Sequence, residues 1–187
     1  AIWVGGLILC AILKVHVRED DKIRGLRPYE AYFGRYLTFM VFGIVQSLIV
    51  CLGDLYFLKI QCENPGLFLL AGVTASIVFT NVIYTLTISF GDVGKAIAVI
   101  LLVIQVAGAG GTFPIEVTPS FFNAINPYLP FTSGINAMRE TVAGIYGMDY
   151  WKDMCKLLVY LPISLFVGLV LRKPLIKMNE FFERKLE

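Results

Sequence analysis

Apolar residues run through this chain in long blocks rather than alternating with polar ones. A membrane-spanning helix needs about 20 mostly apolar residues. Five stretches reach or approach that length: Ala1–Leu13, Tyr36–Leu58, Leu67–Phe90, Ala96–Gly111 and Met154–Leu171. The first is short, and Asp54 sits near the end of the second. Backbone amides surrounded by lipid must bond within their own segment. The blocks are therefore expected to be helices. The predicted fold class is all-α, a polytopic membrane helix bundle of about five transmembrane helices. No internal repeat or low-complexity segment interrupts it.

The connections differ in kind. Residues 14–35 are polar and carry both signs of charge. Lys59–Gly66 ends in Asn64-Pro65-Gly66 and reads as a short turn; Gly91–Lys95 reads as a tight one. Residues 112–150 are long and rich in proline and aromatics, and residues 172–187 form a charged tail. We expect residues 1–187 to be a single transmembrane domain. Ala1 already lies within an apolar run, with no signal peptide ahead of it, so a fragment of a longer protein is expected.

Composition agrees. Hydrophobic residues make up 57% and charged residues 16% of the 187, against roughly 45–50% and about 25% in soluble domains. Mean hydropathy is +0.74. A core of this size cannot hide so much apolar surface, and a soluble enzyme is excluded. The net charge of +2 is too small to suggest nucleic acid. Its distribution is more telling, because lysine and arginine collect on cytoplasmic loops. Twelve of the 16 basic residues fall in 14–35, at Lys95 or in 172–187. Those segments are expected to be cytoplasmic, the C-terminus included, and residues 112–150 to be outside.

The outer segment is too apolar for a solvated loop and too broken for a span. Pro119 and Pro130 each suit a first helical turn, where the missing N–H costs nothing. Asn126-Pro127 forces an extended or turn step between them. Two short helices are predicted, roughly Pro119–Ile125 and Pro130–Ala143. They form either a re-entrant hairpin before the last span or an extracellular cap that only packs. Arg139 and Glu140 are the adjacent opposite charges there, either a functional polar pair or a solvated one at the interface. Glu116, just after Pro114, either lines an outer mouth or faces water.

Within the spans, Gln105 stands mid-block ahead of Gly108, Gly110 and Gly111. Small residues allow helices to approach closely. Gln105 and Asn81, with Thr80, Thr85 and Thr87, either line a pathway or bond across helices. In the 14–35 loop, Glu19, Asp20, Asp21, Arg24 and Arg27 mix signs. A lipid-binding patch would be more one-sided, and mixed charge suits docking to a protein; the alternative is a solvated loop whose basic residues fix topology. Pro28–Arg35 is expected to form a short interfacial helix leading into the second span.

Chemistry is sparse. His16 is the only histidine, and no HExxH, nucleophile elbow or GxxxxGK[ST] appears, so no cofactor and no P-loop ATPase activity of its own is expected. The four cysteines have no zinc spacing. Cys10 and Cys51 read as small hydrophobes. Cys62 and Cys155 both fall near the outer face, and whether they form a disulfide depends on geometry that sequence does not supply.

The runs Ala107-Gly-Ala-Gly-Gly-Thr-Phe-Pro-Ile-Glu116, Phe121-Phe-Asn-Ala-Ile-Asn-Pro-Tyr-Leu-Pro-Phe131 and Ile135-Asn-Ala-Met-Arg-Glu140 resemble the C-terminal membrane domain of the YhgE/Pip family. That family is similar to permeases of the ABC-2 exporter class. The resemblance implies a bacterial plasma-membrane protein whose last five spans are present here. It implies a homodimer, membrane lipids around it, and a separate ATP-binding subunit docking on the loop that matches Val15–Arg27. The exported material would be lipid, polymer or amphiphile. It also implies an alternative, a non-transporting anchor in a phage receptor or a type VII secretion accessory, with partners reached through an ectodomain.

Overall fold

The computed structural model describes residues 1–13, 28–111, 118–145 and 147–171. All regular structure among them is helical: α1 (Ile2–Ile12), α2 (Pro28–Tyr56), α3 (Pro65–Gly108), α4 (Ser120–Ile125), a 3-10 turn (Asn126–Tyr128), α5 (Pro130–Ala143) and α6 (Asp149–Phe166), which runs into a π-turn at Val167–Leu171. The chain is an all-α membrane helix bundle. Tyr32–Tyr56, Pro65–Gly108 and Asp149–Val170 are long and apolar enough to cross a bilayer, whereas the 11 residues of α1 are fewer than a crossing needs.

Helix α3 is the axis of the bundle. Its 44 residues contain one non-helical position, Gly91, at φ 60° and ψ −130°. Such angles are open to glycine and costly for any residue with a Cβ. The chain folds back there, and a Cβ on Gly94 would stand 2.0 Å from the Leu86 carbonyl oxygen. The expected five-residue turn at Gly91–Lys95 is thus replaced by a one-residue reversal. The second limb resumes helix at once and ends at Gly108, short of the expected Gly111. Residues 65–90 and 92–108 form two limbs lying against each other.

The buried side chains gather on the first limb: Ala75, Val78, Phe79, Ile83, Tyr84 and Ile88. Helix α1 packs there through Trp3, Gly6 and Cys10. Trp3 donates its indole N–H to the Ala98 carbonyl at 3.1 Å, which ties α1 to the second limb as well. Helix α2 buries Tyr32, Tyr36, Phe39, Gly43, Ser47 and Cys51 at three- and four-residue steps, the spacing of one helix face. Its opposite face exposes Leu37, Val41, Val45 and Ile49, as a surface against lipid should. Pro28–Arg35 is helical and leads into the second span without a break. It is the first two turns of α2, opened by Pro28.

Lipid tails are as apolar as leucine, so close packing holds such helices together more than water exclusion does. Gly43 lets α2 approach α3 until a Cβ would meet Thr80 Oγ1 at 2.7 Å, and Ser76 donates to the Gly43 carbonyl at 2.7 Å. The last helix begins earlier than the expected Met154, at Asp149. All four cysteines are free thiols, including Cys62 and Cys155. Cys62 instead donates to the Thr141 carbonyl at 3.2 Å.

Candidate functional site

The two short helices between α3 and α6 follow from their prolines. Pro119 takes the N-cap of α4, Pro127 lies in the 3-10 turn, and Pro130 opens α5. The 14 residues of α5 extend about 21 Å at 1.5 Å each, too little for a crossing of about 30 Å. Helix α5 is nevertheless buried along one side at Thr132, Ser133, Gly134, Ala137 and Thr141. Gly134 rests against Phe79 and Ala75 of α3.

The hairpin is tied to the end of α3 by side chains. Asn126 donates to the Gly108 carbonyl at 2.6 Å and to Thr132 Oγ1 at 3.2 Å. Arg139 donates to the Gly110 carbonyl at 2.7 Å. The last carbonyls of a helix lack partners within it, and a cation there also suits the negative end of the helix dipole. Glu140, next in sequence, turns to the start of α6. The Tyr150 backbone N–H lies near its carboxylate and favours the charged form, an anion at the positive end of a dipole. Arg139 and Glu140 therefore serve two different helix ends.

Around Glu140 lies a polar cleft of about 360 Å³ between α5 and α6. Lys152 pairs with Asp149 at 2.7 Å, and Lys156 with Asp153 at 3.3 Å, each three residues apart on α6. Asp153 is buried, at 8% exposure. One Glu140 oxygen, Oε2, is buried and has no hydrogen-bond partner among the described residues. Desolvation raises the Glu140 carboxyl above the ordinary glutamate range, helped by the nearby Asp149 and Asp153; the Tyr150 N–H and Lys152 oppose the rise. On the other side of α5 an apolar cleft of about 310 Å³ is lined by Phe79, Phe131, Ile135 and Met138, with Asp54 at its edge.

Deeper in the bundle, polar side chains follow the first limb of α3. Ser76, Thr80, Asn81, Thr85, Thr87 and Ser89 are all buried, as is Gln105 on the second limb. Ser164 of α6 donates to Asn81 Oδ1. Tyr32 and Thr85 share a hydrogen bond of 2.7 Å, and Tyr84 donates to the Tyr32 carbonyl at 3.1 Å. Among the described residues, Asn81 Nδ2, Ser89 Oγ and Gln105 Oε1 remain without partners. Unmatched buried polar atoms are costly and rare. Their recurrence along one seam gives the bundle a polar interior that apolar packing alone would not require.

Glu19, Asp20, Asp21, Arg24 and Arg27 lie outside the described residues, as do Pro114 and Glu116. Asn126, Pro127, Pro130, Arg139 and Glu140 are brought together on the hairpin, while Asn81 and Gln105 lie in the core of the bundle. Sequence reasoning missed Asp149, Lys152, Asp153 and Lys156. Their signal was the Asp-x-x-Lys spacing, repeated four residues later, which places all four on one helical face. Among the described residues, no group of three or more His, Cys, Asp or Glu is placed to hold a metal ion.

Residues 16–171 match the family described as ABC-2 family transporter protein. The chain is also 32% identical over 142 residues to the uncharacterized protein YhgE of Bacillus subtilis (strain 168). That stretch is 76% of this chain and 18% of the relative, so the chain spans less than a fifth of YhgE. No solved structure matches.

Proposed function

This chain belongs to the ABC-2 transporter family, and from that premise we propose that it is the membrane permease unit of an exporter driven by a separate ATPase. The material moved is lipidic, polymeric or amphiphilic, and it leaves the cell by alternating access. The chain performs no bond chemistry of its own on this reading.

One observation carries the proposal. A hairpin too short to cross is packed into the bundle, with an apolar cleft on one side of α5 and a charged cleft on the other. Irregular backbone at membrane depth needs cover from protein or a water-filled cavity, and α4 and α5 supply such a segment beside a polar seam. The hairpin acts as the outer gate, carried by Asn126, Pro127, Pro130, Arg139 and Glu140, with Pro114 and Glu116 at its entry. Asn81 and Gln105 line or brace the path. On the inner side, the Val15–Arg27 loop docks the ATPase through Glu19, Asp20, Asp21, Arg24 and Arg27, and the C-terminus lies in the same compartment. Two copies make the working unit.

A ligand shifts a conformational equilibrium only by binding its states differently. The ATPase must therefore grip the loop differently in each state. The test is reconstitution of the full-length protein with the ATPase that co-purifies from its host. Charge reversal at Asp20, Asp21 and Arg24 uncouples ATP hydrolysis from transport and leaves thermal stability unchanged. Coupled turnover that survives all three reversals overturns the docking assignment. A second reading is a non-transporting membrane anchor; failure of any ATPase to co-purify would support it.

A further inference from the structure

Helix α2 ends on an acid that nothing nearby offsets. Asp54 lies in the last turn of α2, inside the apolar stretch Tyr32–Tyr56 that is long enough to span a bilayer. The negative end of a helix dipole disfavours an acid, and no basic residue shares that turn. Among the described residues Asp54 is in no ion pair, and its carboxylate accepts no hydrogen bond. The side chain is half-buried rather than sealed, so a ligand can reach it. Ionisable side chains inside spans are rare and mark binding sites or pathways.

Asp54 stands at the edge of the apolar cleft of about 310 Å³ that α1, α2, α3 and α5 enclose, a volume within the range of small-ligand sites. Among the described residues it is the one charged side chain lining that cleft. Phe79 and Phe131 form an aromatic wall, with ring centroids 5.0 Å apart. Gly134 keeps the wall open, since a Cβ there would already touch Phe79 at 3.7 Å. We propose that the cleft binds an amphiphilic organic cation, its apolar body between Phe79, Phe131 and Met138 and its cationic nitrogen at Asp54. A lipid tail or neutral apolar molecule fills the walls but leaves the carboxylate uncompensated, and an anion is repelled. A bare metal cation finds one carboxylate where a hard ion needs six or more oxygens. Binding of this kind does not require export and holds for an anchor equally well.

The test uses the full-length protein in phosphatidylcholine nanodiscs, whose lipid has no net charge. Radiolabelled aminoadamantane, a compact apolar cage with one ammonium, is compared with adamantanol, the same cage without the charge. Equilibrium dialysis against protein-free discs gives the binding due to protein. The wild type is expected to bind the amine about tenfold more tightly than the alcohol, the factor for one charge-assisted hydrogen bond. Asp54→Asn keeps the shape and should lose that preference, whereas Asp54→Glu should retain it. Equal affinity of the wild type for amine and alcohol overturns the proposal without recourse to any variant. A preference that persists in Asp54→Asn also overturns it, because the cation then sits elsewhere. Uptake no greater than that of protein-free discs does the same, because the cleft is then already filled by lipid or protein.

Discussion

Arg139 and Glu140 are neighbours in sequence, yet each is turned to the end of a different helix. The arginine holds the Gly110 carbonyl past the end of α3, and the glutamate meets the Tyr150 N–H at the start of α6. Each sign of charge sits at the end of the dipole that favours it. Helix α5 thereby fixes where one long helix stops and the next begins. Arg139 is exposed, which limits what the contact contributes. Arg139→Ala is expected to cost about 1 kcal/mol, and Arg139→Lys less than that, since it keeps the charge and loses the planar fork. Thermal unfolding of the purified protein in detergent checks the order.

Acidification should reveal Glu140. Its carboxyl is raised by desolvation first, then by Asp149 and Asp153. A raised carboxyl means that the fold binds the proton more tightly than the unfolded chain does. The stability gained from protonation is complete below the ordinary glutamate value, 4.5, and is lost as pH rises through the higher folded value. The midpoint of the wild type, measured relative to Glu140→Gln, should therefore rise as pH falls through that window. A pH-independent difference between the two would show that the carboxylate is not desolvated.

The reversal in α3 depends on two glycines for different reasons. Gly91 supplies a backbone conformation, and Gly94 supplies room. Alanine at Gly94 drives a Cβ into the Leu86 carbonyl and to 3.1 Å from Thr87 Cα. Backbone cannot move aside as a side chain can, so the cost should reach about 3 kcal/mol, the upper end for overpacking. Gly91→Ala meets only conformational strain, about 1–3 kcal/mol. Size-exclusion profiles and unfolding midpoints should rank Gly94→Ala as the more damaging.

Much of this architecture was legible because proline and hydrophobic length act locally. Pro119 and Pro130 placed both hairpin helices within about a residue, since a missing N–H constrains the turn wherever it falls. The start of α6 was misplaced because Asp149, Lys152 and Asp153 look like loop. In the fold, two of them form an ion pair three residues apart, and Asp149 sits in the first turn, where an acid is favoured. The partners of Arg139 and Glu140 were not legible at all. They depend on which helix ends abut α5, and that is settled by packing across 29 residues for Arg139. Tyr32 and Thr85 were hidden for the same reason, being 53 residues apart.

Tyr32 offers a test of coupling between helices. Its hydroxyl meets Thr85, and Gly168 in the π-turn of α6 packs on its ring, where a Cβ would stand 2.8 Å from Cε2. Hydrogen bonds between membrane helices average about 0.6 kcal/mol, so Tyr32→Phe should be mild. Gly168→Ala should cost more, because the ring must shift. Shifting it strains the same hydrogen bond, so the double variant should lose less than the two single losses combined. Additive losses would mean that α6 does not report on the Tyr32–Thr85 contact.

Asn126 makes the sharpest prediction, because its carboxamide is used as a donor. Nδ2 reaches the Gly108 carbonyl and Thr132 Oγ1 together, closing the turn between α4 and α5 onto the last residue of α3. Asn126→Ala removes both bonds and leaves a half-buried carbonyl to find water, a loss of about 1–2 kcal/mol. Asn126→Asp keeps the shape but replaces the donor with an acceptor, so two oxygens face each other at hydrogen-bond distance. Aspartate must then protonate or swing away, and near neutral pH it should be worse than alanine despite being the closer isostere. Lowering the pH should narrow that gap, because a protonated carboxyl regains one donor. Unfolding midpoints of the three proteins across acid pH provide the measurement. Were aspartate to behave like the wild type at neutral pH, the bond to Gly108 would not be what holds the hairpin against α3.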